Sequence, residues 1–471
     1  MSDLKRTLGF TTALSVVVGG VIGSGIFMKP ALMASQLGSP LLLLSVWVVA
    51  GVITLFGALS NAEVAAMFPE TGGQFVFFRK MYGDGFAFLY GWAAFAVFNT
   101  AGNASIAYIC AQYADYFLAL PRFPASLEHS ARVHIPGIGN IFPLENAGVK
   151  LLTIAIVTLL TFINYYSVKH GAALQRMLSS LKIAAIVLLI CGILFSGHGS
   201  LHNITTSMPD MPRGFALVSA YMAAIAGAFW AYDGWNNITF VAGEIKQPQK
   251  NIPLSLFTGL LFCMIVYALV SLSFAYVLPV GKMATSSFVA SDAAAAVWGL
   301  VGGGVIAVMV MLSTFGAANA NVLATARVTF ALGDTSTLFS WAGRPHPRYH
   351  TPGNALLLNA MWSTILIVSG SFDTLTDMLI FVSWFFYGMS ALGVIVLRFK
   401  MKNEPRPYKV PGYPVLTVAF ILFTVFFLAV TIYTDISNYN SGRSNTVNSL
   451  MGIVITCIGI PVYLFRRKSE T

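Results

Sequence analysis

The chain has 471 residues, 57% of them hydrophobic and 9% charged, and its mean hydropathy is +0.76. A soluble domain carries roughly 25% charge, so these figures exclude a soluble enzyme and point to an all-α polytopic membrane protein whose first partner is the lipid bilayer. The formal charge of +10 comes without a basic run interleaved with aromatics, so no nucleic-acid partner is expected.

Apolar runs punctuated by Gly, Pro and charge predict twelve spans. They lie at about 9–36, 40–67, 84–118, 148–166, 173–196, 214–243, 253–279, 297–331, 353–372, 375–398, 413–434 and 446–466. The first run is too long for a cleavable signal peptide and carries a glycine-rich break rather than a small-residue cleavage site. No polar stretch approaches the roughly 100 residues that a separate soluble core needs, so 1–471 reads as a single transmembrane domain. With the N-terminus inside, 19 of the 27 Lys and Arg residues fall on the inner side, including Arg398, Lys400, Lys402, Arg406 and Lys409. Seven fall outside and Lys182 lies within a span, an asymmetry that places both termini in the cytoplasm.

Residues 119–148 form the longest external segment, and Pro121, Pro124, Pro136 and Pro143 predict an irregular cap with a short helix at most. Cys110, Cys191, Cys263 and Cys457 sit in apolar runs with neither a disulfide pair in loops nor metal spacing, and read as core filler. His198 and His202 are four apart, but in a Gly/Ser loop without a third ligand, so neither a metal nor a cofactor is expected.

The first span contains Val18-Gly19-Gly20-Val21-Ile22-Gly23-Ser24-Gly25-Ile26-Phe27. Each glycine costs a helix about 1 kcal/mol, so this backbone is expected to open. An unwound turn survives at membrane depth only where it lines a cavity or is buried in protein, and the N–H groups opening the second half-helix then seat an anion. The alternative is a small-residue packing face, which Gly19 and Gly23 fit but Gly20, Ser24 and Gly25 do not. The sixth span carries Trp230-Ala231-Tyr232-Asp233-Gly234-Trp235-Asn236-Asn237, placing a carboxylate, a glycine and two amides amid apolar residues. Two interrupted helices at matching positions predict an inverted five-plus-five repeat with its site at the midplane. Repeat one covers about 9–196 and repeat two about 214–398, with helices 11 and 12 at about 413–466.

Lys182 is the other charge within a span. It either snorkels to the headgroups or, as favoured here, acts as a fixed cation donating to carbonyls freed by the first break. Glu63 and Glu244 stand near cytoplasmic helix ends, away from this site.

At these motifs the sequence resembles the amino acid–polyamine–organocation superfamily, and within it the L-type amino acid transporters that form light subunits of heteromeric transporters. The resemblance runs over nearly the whole chain, through Gly23-Ser24-Gly25-Ile26-Phe27, Gly38-Ser39-Pro40, Gly57-Ala58-Leu59, Asn164-Tyr165-Tyr166-Ser167-Val168-Lys169, Trp230-Ala231-Tyr232-Asp233-Gly234-Trp235-Asn236 and Asn251-Ile252-Pro253-Leu254. It implies the LeuT fold, broken helices 1 and 6, and sodium-independent exchange of L-amino acids. Backbone groups around Val21, Ile22, Gly23, Ser24, Gly25 and Ile26 would bind the substrate carboxylate, and the carbonyls of Val21, Trp230 and Asp233 its ammonium. Ala231 and Gly234 belong to the same motif. Trp230 occupies the place of an aromatic gate, Asn236 a polar position near the site, Lys182 that of the family's lysine in helix 5, and Tyr267 that of a tyrosine in helix 7.

Two departures matter. The external loop after the third span lacks the cysteine that bonds light subunits to a glycoprotein partner, so no disulfide-linked heavy subunit is expected and the chain resembles a bacterial relative in the inner membrane. Position 233 is Asp, as in a branch handling dibasic amino acids and cystine, where large-neutral transporters resemble Gly. That carboxylate either pairs with a cationic substrate or caps the second half-helix; the capping reading keeps neutral amino acids first.

The cycle these features imply is alternating access, with Trp230 closing the outer side while helices 1, 2, 6 and 7 rock against the rest. No catalytic residue is needed. If Lys182 titrates, the protein is instead a proton symporter, because burial disfavours the charged form of an amine. An integral membrane enzyme would gather His, Asp or Cys near one face, and a channel would need a continuous polar ring; neither pattern is present in the sequence. Side-chain selectivity is expected to depend on Asn103, Asn319, Trp384 and Asp233.

Overall fold

A computed structural model describes residues 6–70, 72–166, 182–335 and 340–470. Glycine and proline punctuate its first helices. α1 (Phe10–Val21) and α2 (Gly25–Leu37) flank a three-residue break, and Gly38 ends α2 in the left-handed conformation, its N–H returning to Ala34 O. α3 (Pro40–Met67) opens on a proline at its first position, where the missing N–H is no loss. α4 (Gln74–Tyr82) and α5 (Asp84–Ala93) follow, then a π-helical turn, Ala94–Asn99, that runs into α6 (Thr100–Leu118). The span expected at 84–118 is therefore not one regular helix; its backbone widens where the Thr100 hydroxyl donates to Phe95 O at 2.7 Å, five residues back.

The external segment holds α7 (Ala125–Ser130) and a hairpin of β1 (Val133–Ile135) and β2 (Gly139–Ile141). The hairpin departs from the irregular cap that the prolines predict. It is tied to the loop before the last helix through Asn140 N–H to Asn445 O and Val447 N–H to Ile138 O, both 2.8 Å.

α8 (Ala147–Tyr166) precedes α9 (Lys182–Leu194), α10 (Leu201–Thr205) and α11 (Phe215–Tyr232). The first part of the expected fifth span, together with Ser167, Val168, Lys169 and Arg176, lies outside the described residues. After a second break come α12 (Asn237–Phe240), α13 (Pro248–Val277), α14 (Val280–Thr285) and α15 (Val289–Thr335), the last kinked at Gly299, whose φ is 70°. α16 (Gly353–Ser369), α17 (Phe372–Lys400), α18 (Val415–Asn440) and α19 (Asn448–Glu470) complete the chain.

Among the described residues nine helices are long and apolar enough to cross a membrane, and α1 with α2 forms a tenth candidate bent by 43° at its break. α9 and α16 are shorter apolar helices at the expected fifth and ninth positions. The chain is a multi-pass membrane protein of the all-α class, the small external hairpin aside.

Packing gathers α1, α2, α3, α11 and α13 into one group, with α3 and α1 lying along α13 and α11 against α2. α6, α8, α15 and α16 form a second group, and α17 touches both. Below the first group, the strand-like residues before α1 pair with those after α12: Lys246 N–H donates to Leu8 O at 2.8 Å and Thr7 N–H to Glu244 O at 2.9 Å. Cys110 and Cys263 are buried, but Cys191 and Cys457 are exposed on outward faces, so only two of the four cysteines fill the core. Glu63 is buried at 1% exposure and paired, accepting from Arg398 Nη2 at 2.6 Å and from Val410 N–H at 2.9 Å, with Arg406 Nε 3.4 Å away.

Candidate functional site

The two breaks meet. A Cβ on Gly25 would lie 2.7 Å from the Cα and Cβ of Ala231, so only glycine lets α2 begin against the end of α11. Gly234 has φ of 96° and approaches Gly20 so closely that a Cβ would stand 2.6 Å from Gly20 O. Both positions need glycine for the close approach across the breaks, and Gly20 meets Gly234 from the other side, whereas Gly19 and Gly23 meet no facing segment.

At the first break Ile22 leaves the helix with ψ of 97°, and Ser24 precedes α2 without a side-chain cap. The opening N–H groups of α2 have no intrahelical acceptor by construction, and Phe27 N–H reaches back to Ser24 O at 3.1 Å. These N–H groups and the positive end of the α2 dipole make a seat for a carboxylate. α1 and α11 contribute the opposite polarity through their terminal carbonyls.

At the second break Asp233 has ψ of 156°, its N–H returns to Trp230 O at 3.3 Å, and Asn237 N–H returns to Gly234 O at 3.1 Å. The half-helix beyond it, α12, is a single turn. The N-cap residue of α12 is Asn236, which makes no side-chain cap bond. Asp233 Oδ1 accepts the Tyr387 hydroxyl of α17 at 2.8 Å.

Two side chains hold the opened backbone. Lys182, 6% exposed, donates from Nζ to Gly19 O at 3.3 Å and to Ile22 O, and so reaches inward instead of snorkelling. The Tyr267 hydroxyl lies 2.8 Å from Val21 O and 2.7 Å from Ala231 O; with one proton it serves either break at a time.

A cavity of about 610 Å³ lies at the breaks. Val21, Ile22, Gly23, Ser24, Gly25, Trp230, Ala231, Asp233 and Gly234 line it, and it continues past Thr12, Ser15 and Phe240 on the side assigned to the cytoplasm. Ile26 and Asn236 do not line it. Ile26 is fully buried, while Asn236 is held behind the wall by Asn61 Nδ2, which donates to its Oδ1 at 2.9 Å; Asn61 Oδ1 in turn accepts the Ser390 hydroxyl at 2.9 Å.

Trp230 lines the cavity, 8% exposed and edge-on to Phe372 with 6.2 Å between ring centroids. Beyond it Lys29 Nζ lies 4.6 Å over the Phe372 ring and bonds Asp373 Oδ1 at 2.9 Å and Thr376 Oγ1 at 3.1 Å. A second cavity, about 420 Å³, lies outside this layer and shares no lining residue with the first. Charge counting places Lys29 among the seven outer lysines and arginines, at the outer end of the first span; a lysine one turn after the break in an apolar run is the signal that points inward.

Of the four residues expected to set selectivity, only Asp233 lines the cavity. Asn103 is buried behind it, Asn319 accepts from Asn164 Nδ2 at 2.8 Å, and Trp384 stacks on Phe229 with 3.5 Å between centroids. The wall facing the breaks is instead made by Asn99, Gly102 and Ile106 of the third span and Ala317, Ala320, Asn321, Ala324 and Thr325 of α15. Polar residues four apart, Asn99 with Asn103 and Asn321 with Thr325, are the sequence signal for that wall. Among the described residues no group of three or more His, Cys, Asp or Glu is arranged to hold a metal.

The model of the family described as amino acid permease matches residues 8–460. The serine/threonine exchanger SteT of Bacillus subtilis (strain 168) is 29% identical over 473 residues, covering 100% of this chain and 98% of that protein. The large neutral amino acids transporter small subunit 2 of Homo sapiens is 31% identical over 471 residues, covering 98% of this chain and 80% of that protein. The b(0,+)-type amino acid transporter 1 of Mus musculus is 27% identical over 430 residues, covering 90% and 82%.

Proposed function

The chain belongs to the amino acid permease family, and from that premise we propose that it is a sodium-independent exchanger of neutral L-amino acids working by alternating access. The observation that carries this reading is the meeting of the two helix breaks at one cavity. There the α2 N–H groups suit a carboxylate and the carbonyl ends of α1 and α11 suit an ammonium. The zwitterion bridges both breaks. It stabilises a closed state that the empty carrier reaches poorly, and this difference couples outward to inward movement.

Lys182 supplies a permanent cation at the carbonyls of the first break, and with it the reason no sodium is needed. Trp230, with Phe372 and the Lys29–Asp373 pair, closes the outer side, while the path past Thr12 and Ser15 stays open inward. The group of α1, α2, α3, α11 and α13 is the moving part, within an inverted repeat of 9–196 and 214–398 and an inner-membrane topology with cytoplasmic termini. Names of the relatives, an exchanger among them, support exchange; the missing loop cysteine supports function without a linked glycoprotein subunit.

Proteoliposomes loaded with unlabelled amino acids test this. Uptake of labelled threonine, alanine or leucine is expected to require internal amino acid and neither sodium nor a pH gradient. Acid-driven uptake into empty vesicles would replace exchange by proton symport. Preferred uptake of labelled arginine would assign Asp233, which lines the cavity, to a cationic side chain.

A further inference from the structure

We infer that the wall opposite the helix breaks selects substrates whose side chain carries a small hydroxyl or amide group, with Asn99 and Asn321 as the selecting residues. The inference rests on the exchanger reading above and names the substrate class of the same cavity.

Three observations carry it. First, the π-helical turn Ala94–Asn99 shifts the register of the third span, and Asn99, its last residue, lines the cavity while Asn103, one turn on, does not. Asn99 Nδ2 is buried with no hydrogen-bond partner among the described residues. A buried donor left unsatisfied costs about 1–3 kcal/mol, and at the cavity wall a bound polar group can satisfy it.

Second, Asn321 is fixed from behind. Its Nδ2 donates to Asn103 Oδ1 at 2.8 Å, and Asn103 Nδ2 donates to Thr325 Oγ1 at 3.1 Å. That orientation commits one of the two Asn321 amide N–H donors to the protein and leaves its Oδ1, an acceptor, without a protein hydrogen bond among the described residues. Gly102 makes room for it, since a Cβ there would lie 3.2 Å from Asn321 Nδ2. The wall therefore offers free amide N–H donors and a free carbonyl acceptor, groups that a hydroxyl or a carboxamide satisfies and a hydrocarbon does not.

Third, the neighbours of Asn321 are small. Ala317, Ala320 and Ala324 line the cavity at spacings of three and four along α15, so no bulky neighbour on this stretch stands between a substrate side chain and the Asn321 amide.

Threonine and valine have the same shape and differ by the hydroxyl, so their ratio reads the inference directly. In exchange by reconstituted full-length protein, threonine is expected to exceed valine about tenfold in kcat/KM, and calorimetric binding in detergent is expected to show the same order. Asn99→Leu removes no side-chain hydrogen bond seen among the described residues and is expected to fold normally by gel filtration and melting. It should bring the threonine-to-valine ratio towards one by lowering threonine and sparing valine, and Asn99→Ser should restore part of the ratio. Wild-type protein that treats the pair alike, or an Asn99→Leu variant that lowers both equally, overturns the inference while exchange itself stands. Absence of exchange for every amino acid tried overturns the exchanger reading and this inference with it.

Discussion

Replacing Gly25 by alanine tests whether the two breaks form one site. The added methyl would stand 2.7 Å from Ala231 Cα, 2.7 Å from its Cβ and 3.2 Å from its N. Carbon atoms rest about 3.5–4.0 Å apart, so α2 and the end of α11 must separate by about 1 Å. Overpacking of this kind costs about 1–3 kcal/mol. The same displacement pulls the Tyr267 hydroxyl from one of its two carbonyls, now at 2.8 and 2.7 Å, which adds about 0.5–1.5 kcal/mol.

Together these give about 1.5–4.5 kcal/mol against the closed geometry, so amino acid affinity is expected to fall at least tenfold. The measurement pairs exchange KM in proteoliposomes with melting of the detergent-solubilised protein. Ala231→Gly in the Gly25→Ala background removes the facing methyl but leaves the backbone of residue 231 in the way, so it should recover part of the loss and not all of it. Gly25→Ala with wild-type KM and melting temperature would refute the close approach. Full recovery by Ala231→Gly would show that the backbones have room to spare.

Two further substitutions separate the site from its supports. Lys182→Ala leaves Gly19 O and Ile22 O without their donor, at about 1–3 kcal/mol for each unsatisfied group, and exchange is expected to fall more than tenfold. Wild-type rates should not change when a pH gradient is imposed; acid-driven uptake lost in Lys182→Ala would show a titrating lysine instead of a fixed cation. Glu63→Gln leaves Arg398 and Arg406 facing a neutral group in a buried setting. Breaking a buried ion pair costs about 3–5 kcal/mol, an upper figure here because the Arg398 side chain is 23% exposed, so the melting temperature should drop while KM stays unchanged. A lower affinity with intact stability would place Glu63 in the substrate path.

Composition and local pattern alone determine a great deal. With 57% hydrophobic residues, the chain has only helices available to bury its backbone in lipid, and its spans are readable from run length. The clustered glycines of 19–25 and the polar insert at 233–237 point to both breaks, since a small-residue packing face accounts for Gly19 and Gly23 but not for Gly20, Ser24 and Gly25. Lys182 stands out as a charge at membrane depth. These signals are local, and each can be evaluated within a few residues.

What lies between elements comes from the tertiary structure. That Gly25 meets Ala231, that Lys29 closes onto Asp373 344 residues away, and that Asn61 holds Asn236 out of the cavity are meetings of distant segments. The third span turns Asn99, Gly102 and Ile106 to the cavity and Asn103 to Asn321 and Thr325 of α15, a choice of face made by packing. The π turn that ends at Asn99, with its bond from Thr100 to Phe95 O, leaves no compositional trace. The external hairpin is hidden for a similar reason: its pairing with the loop before α19 supplies order that its own six strand residues do not encode. A span's existence depends on its own hydrophobicity, whereas the face it turns to the cavity depends on the neighbours packed against it.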